Sequence, residues 1–361
     1  MNTQHSSLVI GTYTRRHLPL RLLPVRGRPA GLLAAGLAAG ADLTGLTVLA
    51  EPPNPSWVTA TSDGRYLYAV AETKKFGGEP GGGIAAYARD PATGAITLLN
   101  TVCSGGAEPA HLELDPSERF AIVANYGSGS VAVFAREADG RLAAMTGHVQ
   151  HQGPRPHPHQ ICFDPVTGDV LVPDKGLDAV FGYRLGEDGS LTERPAARIA
   201  GSPGSGPRHL AVHPDGQHLF LANELVSSLV VLRRDGDRFT GAGTACTVPD
   251  GFTGRNYPST VRVSASGRWV LAANRGHNSI AVFGFDPATG ELGPPLVQPC
   301  GGRWPRDFVF SPDGARLLVA NQRSGTVALF GFDERQPRLR FVSATAVLTP
   351  ACLRFVPLIH N

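Results

Sequence analysis

Side chains able to bind anions or move protons stand at two recurrent places in this 361-residue chain. The first place follows a proline. Arg208 and His209 come after Pro207 in "GPRHLAVHPDG", His157 and His159 flank Pro158 in "HPHQ", His111 stands two residues after Pro109, and Arg306 and Asp307 follow Pro305. The second place closes an apolar run and holds Glu72, Asn125, Asp174, Asn223, Glu224, Asn274, Arg275 and Gln322. Asparagine at such a point commonly satisfies turn backbone, and Asn125, Asn223, Asn274 and Asn321 are read that way. Turn geometry gives no reason for Glu224 or Arg275 in the same register. Two guanidiniums (Arg208, Arg275), a carboxylate (Glu224) and an imidazole around one cavity suit an anionic ligand that needs acid-base help. His111, His209, Asp174 and Arg306 are the accompanying candidates for ligand contact.

These residues converge only if the chain brings its two recurrent places together. The segments "EPAHLELDPSERFAIVANY", "GPRHLAVHPDGQHLFLANE", "YPSTVRVSASGRWVLAANR" and "WPRDFVFSPDGARLLVANQ" repeat one pattern. An alternating apolar strand is followed by a Pro/Asp/Gly turn and a second apolar strand. The anchor prolines 55, 109, 158, 207, 258 and 305 recur every 47 to 54 residues. Third strands such as "SVAVFARE" and "SIAVFGFD" follow, then a turn into a fourth. Four antiparallel strands in such a period make one propeller blade.

A seventh opening, "TPACLRFVPL", lacks its later strands, and "SLVIGTYT" near the N-terminus reads as a second strand lacking its first. The predicted fold is therefore all-β: a seven-bladed β-propeller of four-stranded antiparallel blades, one domain over residues 1–361, closed by a composite blade from both termini. In each hairpin the start of the first strand and the end of the second share one rim. Arg208 and His209 are thus expected at the lip of the channel mouth. Residues 15–45, "RRHLPLRLLPVRGRPAGLLAAGLAAGADLTG", show neither alternation nor turn chemistry, and this part of the composite blade is expected to be poorly formed.

Charged residues make up 17%, glycines number 44 and prolines 30, as many short strands and tight turns require. The net charge of +3 is scattered, which speaks against nucleic acid or membrane partners. Five cysteines without a CxxC pair form neither a disulfide framework nor a zinc frame, so a reduced, cytoplasmic protein is expected. The run "GLLAAGLAAGA" is too short to span a bilayer. His148, His151, His157 and His159 are rich in imidazole but match no HExxH-type spacing. No metal or other cofactor is expected.

The motifs "GTYT", "HPHQ", "GPRHLAVHPDG", "LANE", "AANRG" and "PRDFVFSPDG", in that order over about residues 50–358 beyond the "GTYT" start, resemble the seven-bladed lactonases, the family of bacterial 6-phosphogluconolactonases and fungal carboxymuconate lactonizing enzymes. The resemblance implies a metal-independent enzyme acting on a lactone ring. It puts the proposed active-site residues at His159, Arg208, Glu224 and Arg275, with His157 open as a substitute for His159. It also implies a small-molecule partner, a lactone of a phosphorylated sugar. Hydrolysis needs an activated water, a donor for the oxyanion and a proton for the leaving ring oxygen. On this reading Glu224 is the base, Arg208 or Arg275 holds the oxyanion, His159 protonates the ring oxygen, and Arg208, Arg275 and Arg306 are available for phosphate. Cyclisation of a muconate, hydrolysis of an unphosphorylated lactone, and a non-catalytic interaction platform are the alternatives. The oligomeric state is left open.

Overall fold

The computed structural model describes residues 6–14, 30–37, 42–90 and 92–358. They form seven antiparallel blade sheets around a central channel, each with its first strand innermost, and one small two-stranded ribbon, Lys75–Phe76 with Glu79–Pro80. Four strands pair in simple sequence order in most blades. In blade 5, for example, Pro207–Val212, His218–Asn223, Ser228–Asp235 and Arg238–Cys246 follow one another outward.

The apolar runs follow from how the blades stack. Successive side chains point to opposite faces of a strand, and each inner blade face meets a different neighbour. In blade 3, Ala121, Val123, Ala132 and Phe134 pack with Tyr68 and Val70 of the preceding blade. The residues between them, Ile122, Ala124, Val131 and Val133, pack with Val170 and Val172 of the next. Second strands such as His218–Asn223 are therefore buried along their whole length, whereas the outermost strand Arg238–Cys246 is mostly exposed. Asparagines clasp consecutive blades. Asn125 Nδ2 donates to Ser104 O at 2.9 Å and Asn321 Nδ2 to Cys300 O at 2.9 Å, which is the structural role read from the sequence.

Both termini build one blade. Pro350–Pro357 is its inner strand and Ser6–Thr12 its second, with Ile10 opposite Leu353. Leu32–Leu37 and Leu43–Ala50 complete it. Arg89 of the adjacent blade locks the closure, donating through Nη1 to Pro357 O and through Nη2 to Ser7 Oγ, each at 2.9 Å.

The expectation of a poorly formed stretch is corrected for part of residues 15–45. Leu32 and Leu33 are wholly buried and Ala35 is 2% exposed. Leu33 and Ala35 face Leu329 and Leu353, while Leu32 faces Val58 and Leu67. A strand covered on both faces needs no polar alternation, which is why "LLAAGL" gave no strand signal. Residues 15–29 and 38–41 lie outside the described residues. No helix among the described residues is long and apolar enough to cross a membrane.

Candidate functional site

Arg208 and His209 are consecutive, yet both turn into the channel, and a β-bulge explains how. Pro207 pairs with Asn223 but His209 pairs with Ala222, so Arg208 is an extra residue opposite no partner. A bulge of this kind re-aims the side chain it inserts. The register shifts at the same place between Pro109 and His111 and between Pro305 and Asp307. Gly206, with φ +65°, feeds the bulge, and its carbonyl accepts the Glu224 amide at 2.7 Å. The residue before the anchor proline is also left-handed, without being glycine, at Asn54, Glu108, Trp304 and Thr349, though not at His157 or Tyr257. Such backbone costs about 1–3 kcal/mol each and gathers at functional sites.

The Glu224 carboxylate is the hub. Its Oε2 lies 3.0 Å from Arg208 Nε and 2.7 Å from Arg275 Nη2, and Oε1 lies 2.7 Å from Lys175 Nζ. The Arg208 Nε contact is an ion pair off the N–H direction: Nε and Nη1 are buried with no aligned acceptor. Arg208 is 2% and His209 3% exposed, which corrects the expectation of a lip position. Neighbouring blades cover them, and they line the channel interior.

Burial pushes the Glu224 carboxyl upward, but Arg275, Arg208 and Lys175 outweigh it and hold the group well below the carboxylate range. Burial and the like charge of Arg275 push Arg208 down to about 9. Around this hub sit neutral imidazoles. Burial, reinforced by Arg208, holds His159 and His209 well below 6.5, and burial does the same to His111 with help from Arg354. The His159 and His209 rings are 5.3 Å apart, and His159 Nδ1 is buried without a hydrogen-bond partner. His111 and His209 also line a channel cavity of about 490 Å³ with Trp57, Glu113, Arg262 and Arg354. Its lining follows the first strands away from the anchor prolines, so it opens toward the other end of the channel and does not include Glu224 or Arg275.

His157 and Asp174 are differently placed. His157 is half-buried, stacked on Tyr126 at 4.4 Å, with Nδ1 2.9 Å from Tyr126 O. Asp174 is wholly buried. Its Oδ2 meets His151 Nδ1 at 2.7 Å, and Oδ1 accepts the amides of His157, Gly176 and Leu177. Those contacts leave it no face toward the mouth. His148, on an outer strand, bonds Gly105 O, and His151 lies between Asp174 and Tyr183, so the four imidazoles of that stretch do not gather. Arg306 is already matched, its Nη2 3.6 Å from Glu72 Oε2 and its guanidinium over the Tyr13 ring at 5.0 Å; Tyr13 in turn donates to Glu72 at 2.7 Å.

Lys175, Tyr126, Tyr13 and Arg323 escaped the sequence reading, although a signal for three of them existed. The position at the mouth end of each second strand holds Tyr13, Glu72, Tyr126, Lys175, Glu224, Arg275 and Gln322, one per blade. Lys175, not Asp174, occupies that register. Arg323 lies one residue further on, its guanidinium 3.3 Å from the Trp304 ring centroid and its Nε buried without an acceptor. Burial, then the like charges of Arg275 and Arg303, lower its pKa.

Comparison with known proteins agrees with this architecture. The family described as "Lactonase, 7-bladed beta-propeller" matches residues 7–355. A 6-phosphogluconolactonase of Bacillus subtilis (strain 168) is 35% identical over 313 residues, covering 84% of this chain and 87% of its own. Among solved structures, the periplasmic gluconolactonase PpgL of Pseudomonas aeruginosa superposes with a TM-score of 0.89 at 30% identity, covering 98% of this chain and 99% of its own. A putative 6-phosphogluconolactonase of Bacteroides fragilis superposes with a TM-score of 0.86 at 26% identity, covering 98% of both chains.

Proposed function

The chain belongs to the lactonase family of seven-bladed β-propellers, and we propose that it hydrolyses the lactone ring of a phosphorylated sugar acid, 6-phosphogluconolactone, with His159 as the group that moves the proton. The observation that carries this reading is the Arg208 guanidinium. It is buried and flanked by a second arginine, yet two of its N–H groups have no aligned acceptor. An interior cation with free donors is prepared for an anion that arrives or develops during reaction.

The roles differ from the sequence expectation. Glu224 has both carboxylate oxygens held by three cations at 2.7–3.0 Å, so neither is free to accept a proton from water. Its carboxylate instead fixes Arg208 and Arg275 side by side. His159 is neutral, with an unpartnered ring nitrogen. It takes a proton from water while the hydroxide oxygen attacks the lactone carbonyl carbon. The carbonyl electron pair moves to oxygen, and Arg208 and Arg275 stabilise the resulting oxyanion. When the intermediate collapses, the bond from carbon to ring oxygen breaks and the His159 imidazolium returns its proton to that oxygen. One imidazole thus serves as base and then acid, as the histidine of a serine-hydrolase triad does in acyl transfer.

The phosphate falls to Arg323 and Arg303. Their backbones are tied by a 3.1 Å hydrogen bond, and the like charges of Arg275 and Arg303 add to burial in lowering the Arg323 pKa. A phosphate dianion relieves that repulsion. The charge of such a substrate keeps it inside the cell, so the cytoplasm is the compartment this reading assigns. The test is the rate of 6-phosphogluconolactone opening above the spontaneous rate, beside that of unphosphorylated gluconolactone. Acceleration of the phosphorylated lactone, lost in Arg208→Ala, supports the proposal. No acceleration of either lactone overturns it, and equal turnover of both, unaltered by Arg323→Ala, removes the phosphate assignment.

A further inference from the structure

The first strands run on past the reaction site, and the side chains they add there enclose a second chamber. Trp57, His111 and His209 stand two residues after their anchor prolines, and Glu113, Arg262 and Arg354 stand four residues after theirs. Two residues advance a strand by about 7 Å and return to the same face. The second set is therefore one layer further from the mouth than the first. Both sets line the cavity of about 490 Å³, together with the apolar residues Leu210 and Val261, and Glu224 and Arg275 have no part in it. A space of that size suits a small molecule.

Its side chains offer donors that nothing in the protein accepts from. His209 is 3% exposed, yet neither ring nitrogen has a hydrogen-bond partner among the described residues, where a buried polar group ordinarily has one. His111 accepts the Ile161 amide on Nδ1 at 3.3 Å, and burial, then Arg354 and Arg262, keep its ring neutral. Its N–H is therefore on Nε2, again without an acceptor among the described residues. The Trp57 indole N–H is buried and unpaired as well. The acceptors nearby are already occupied. Glu113 Oε1 takes the Thr59 hydroxyl at 2.6 Å, and the Gln160 amide is spent on the backbone of Leu210. Arg262 is committed to Phe308 O and to Asp307 Oδ1. Arg354 is not, since its Nη2 lies 3.6 Å from Glu113 Oε1, beyond hydrogen-bond reach, and its side chain is 37% exposed.

We propose that this chamber is a second binding site, for a small monocarboxylate with a compact apolar body, held by Arg354 on one side and by His209 and His111 on the other. A carboxylate brings acceptors only, which is what these donors lack. One uncommitted guanidinium beside neutral rings suits a single negative charge, whereas a phosphate dianion calls for a cluster of cations. His209 forms the wall toward the reaction site, its ring 5.3 Å from that of His159 and 5.9 Å from that of His111.

The experiment is isothermal titration of the full-length protein with benzoate and, separately, with benzyl alcohol. It reads binding without turnover, so its outcome is independent of whether the protein opens lactones. Benzoate should bind one equivalent with a Kd below about 1 mM, and benzyl alcohol about tenfold more weakly or worse. Arg354→Gln changes a half-exposed side chain that makes no hydrogen bond among the described residues and so should fold; it should weaken benzoate about tenfold or more. His209→Phe, which keeps a ring of similar size but removes its donors, should do the same. Benzoate binding weaker than about 1 mM overturns the proposal and leaves channel water as the partner of His209. Equal affinity for benzoate and benzyl alcohol also overturns it, because no carboxylate is then recognised. So does benzoate binding that survives Arg354→Gln and His209→Phe but is lost in Arg323→Ala, which places the anion at the mouth.

Discussion

Replacing Glu224 by glutamine separates the two possible proton acceptors. The carboxylate lies within 3.0 Å of Arg208, Arg275 and Lys175. A unit charge pair about 4 Å apart is worth about 4 kcal/mol at the effective dielectric of a protein site, and removing one partner of a buried pair typically costs about 3–5 kcal/mol. Glu224→Gln should therefore lose about that much stability in urea unfolding, and its mutually repelling arginines should lower kcat by about 10²–10³. Its pH profile should keep its acid limb, measured as product acid released above the spontaneous rate. His159 must be neutral to accept a proton, so wild-type activity should be level through neutrality and fall only as pH drops through the depressed His159 value. Loss of the nearby negative charge should move that limb further down. His159→Gln should instead lose about 10²–10⁴ in kcat and show a flat residual rate. An acid limb absent from Glu224→Gln and kept by His159→Gln would refute the assignment and return Glu224 to the role of base.

Other consequences are equally direct. Arg323→Ala should raise KM for the phosphorylated lactone about tenfold or more while leaving gluconolactone turnover within about twofold, since each charge-assisted hydrogen bond is worth about 1.5–3 kcal/mol; equal effects on both would show that Arg323 holds no phosphate. Arg89→Ala removes the hydrogen bonds that join blade 2 to both strands of the closure and should cost about 2–4 kcal/mol by urea unfolding, and a loss under about 0.5 kcal/mol would mean that the closure does not depend on it. His111, His159 and His209 are buried with lowered pKa values, so the unfolded chain binds protons that the folded one refuses. Stability should fall as pH drops below about 6.5, by up to about 1.4 kcal/mol per pH unit for each histidine, and identical urea midpoints at pH 7.5 and 5.5 would contradict their burial as neutral rings.

Blade number and closure were legible because they follow from a period. "LAVHPDGQHLFLAN" and its relatives state strand, turn and strand in residues whose backbone preferences are strong, and the paired openings at the two ends leave only one way to finish the ring. Leu32–Leu37 was illegible for the same physical reason that it is stable. Covered on both faces, it carries none of the polar alternation by which a strand announces itself. The anchor prolines foretold that Arg208 and Arg275 would meet Glu224, but not that Arg208 would be a bulged residue turned inward and 2% exposed.

Register could have supplied more than it did. The position that holds Glu224 and Arg275 also holds Lys175, so that register alone points to the third cation around Glu224. Protonation is another matter. The sequence shows a glutamate among arginines and invites the role of base, yet whether a carboxylate can accept a proton depends on the summed field of charges from separate blades. Lys175, Arg208 and Arg275 come from three of them, and only their distances to one pair of oxygens show Glu224 engaged on both oxygens, which is why the proposed mechanism gives the proton to the imidazole of His159.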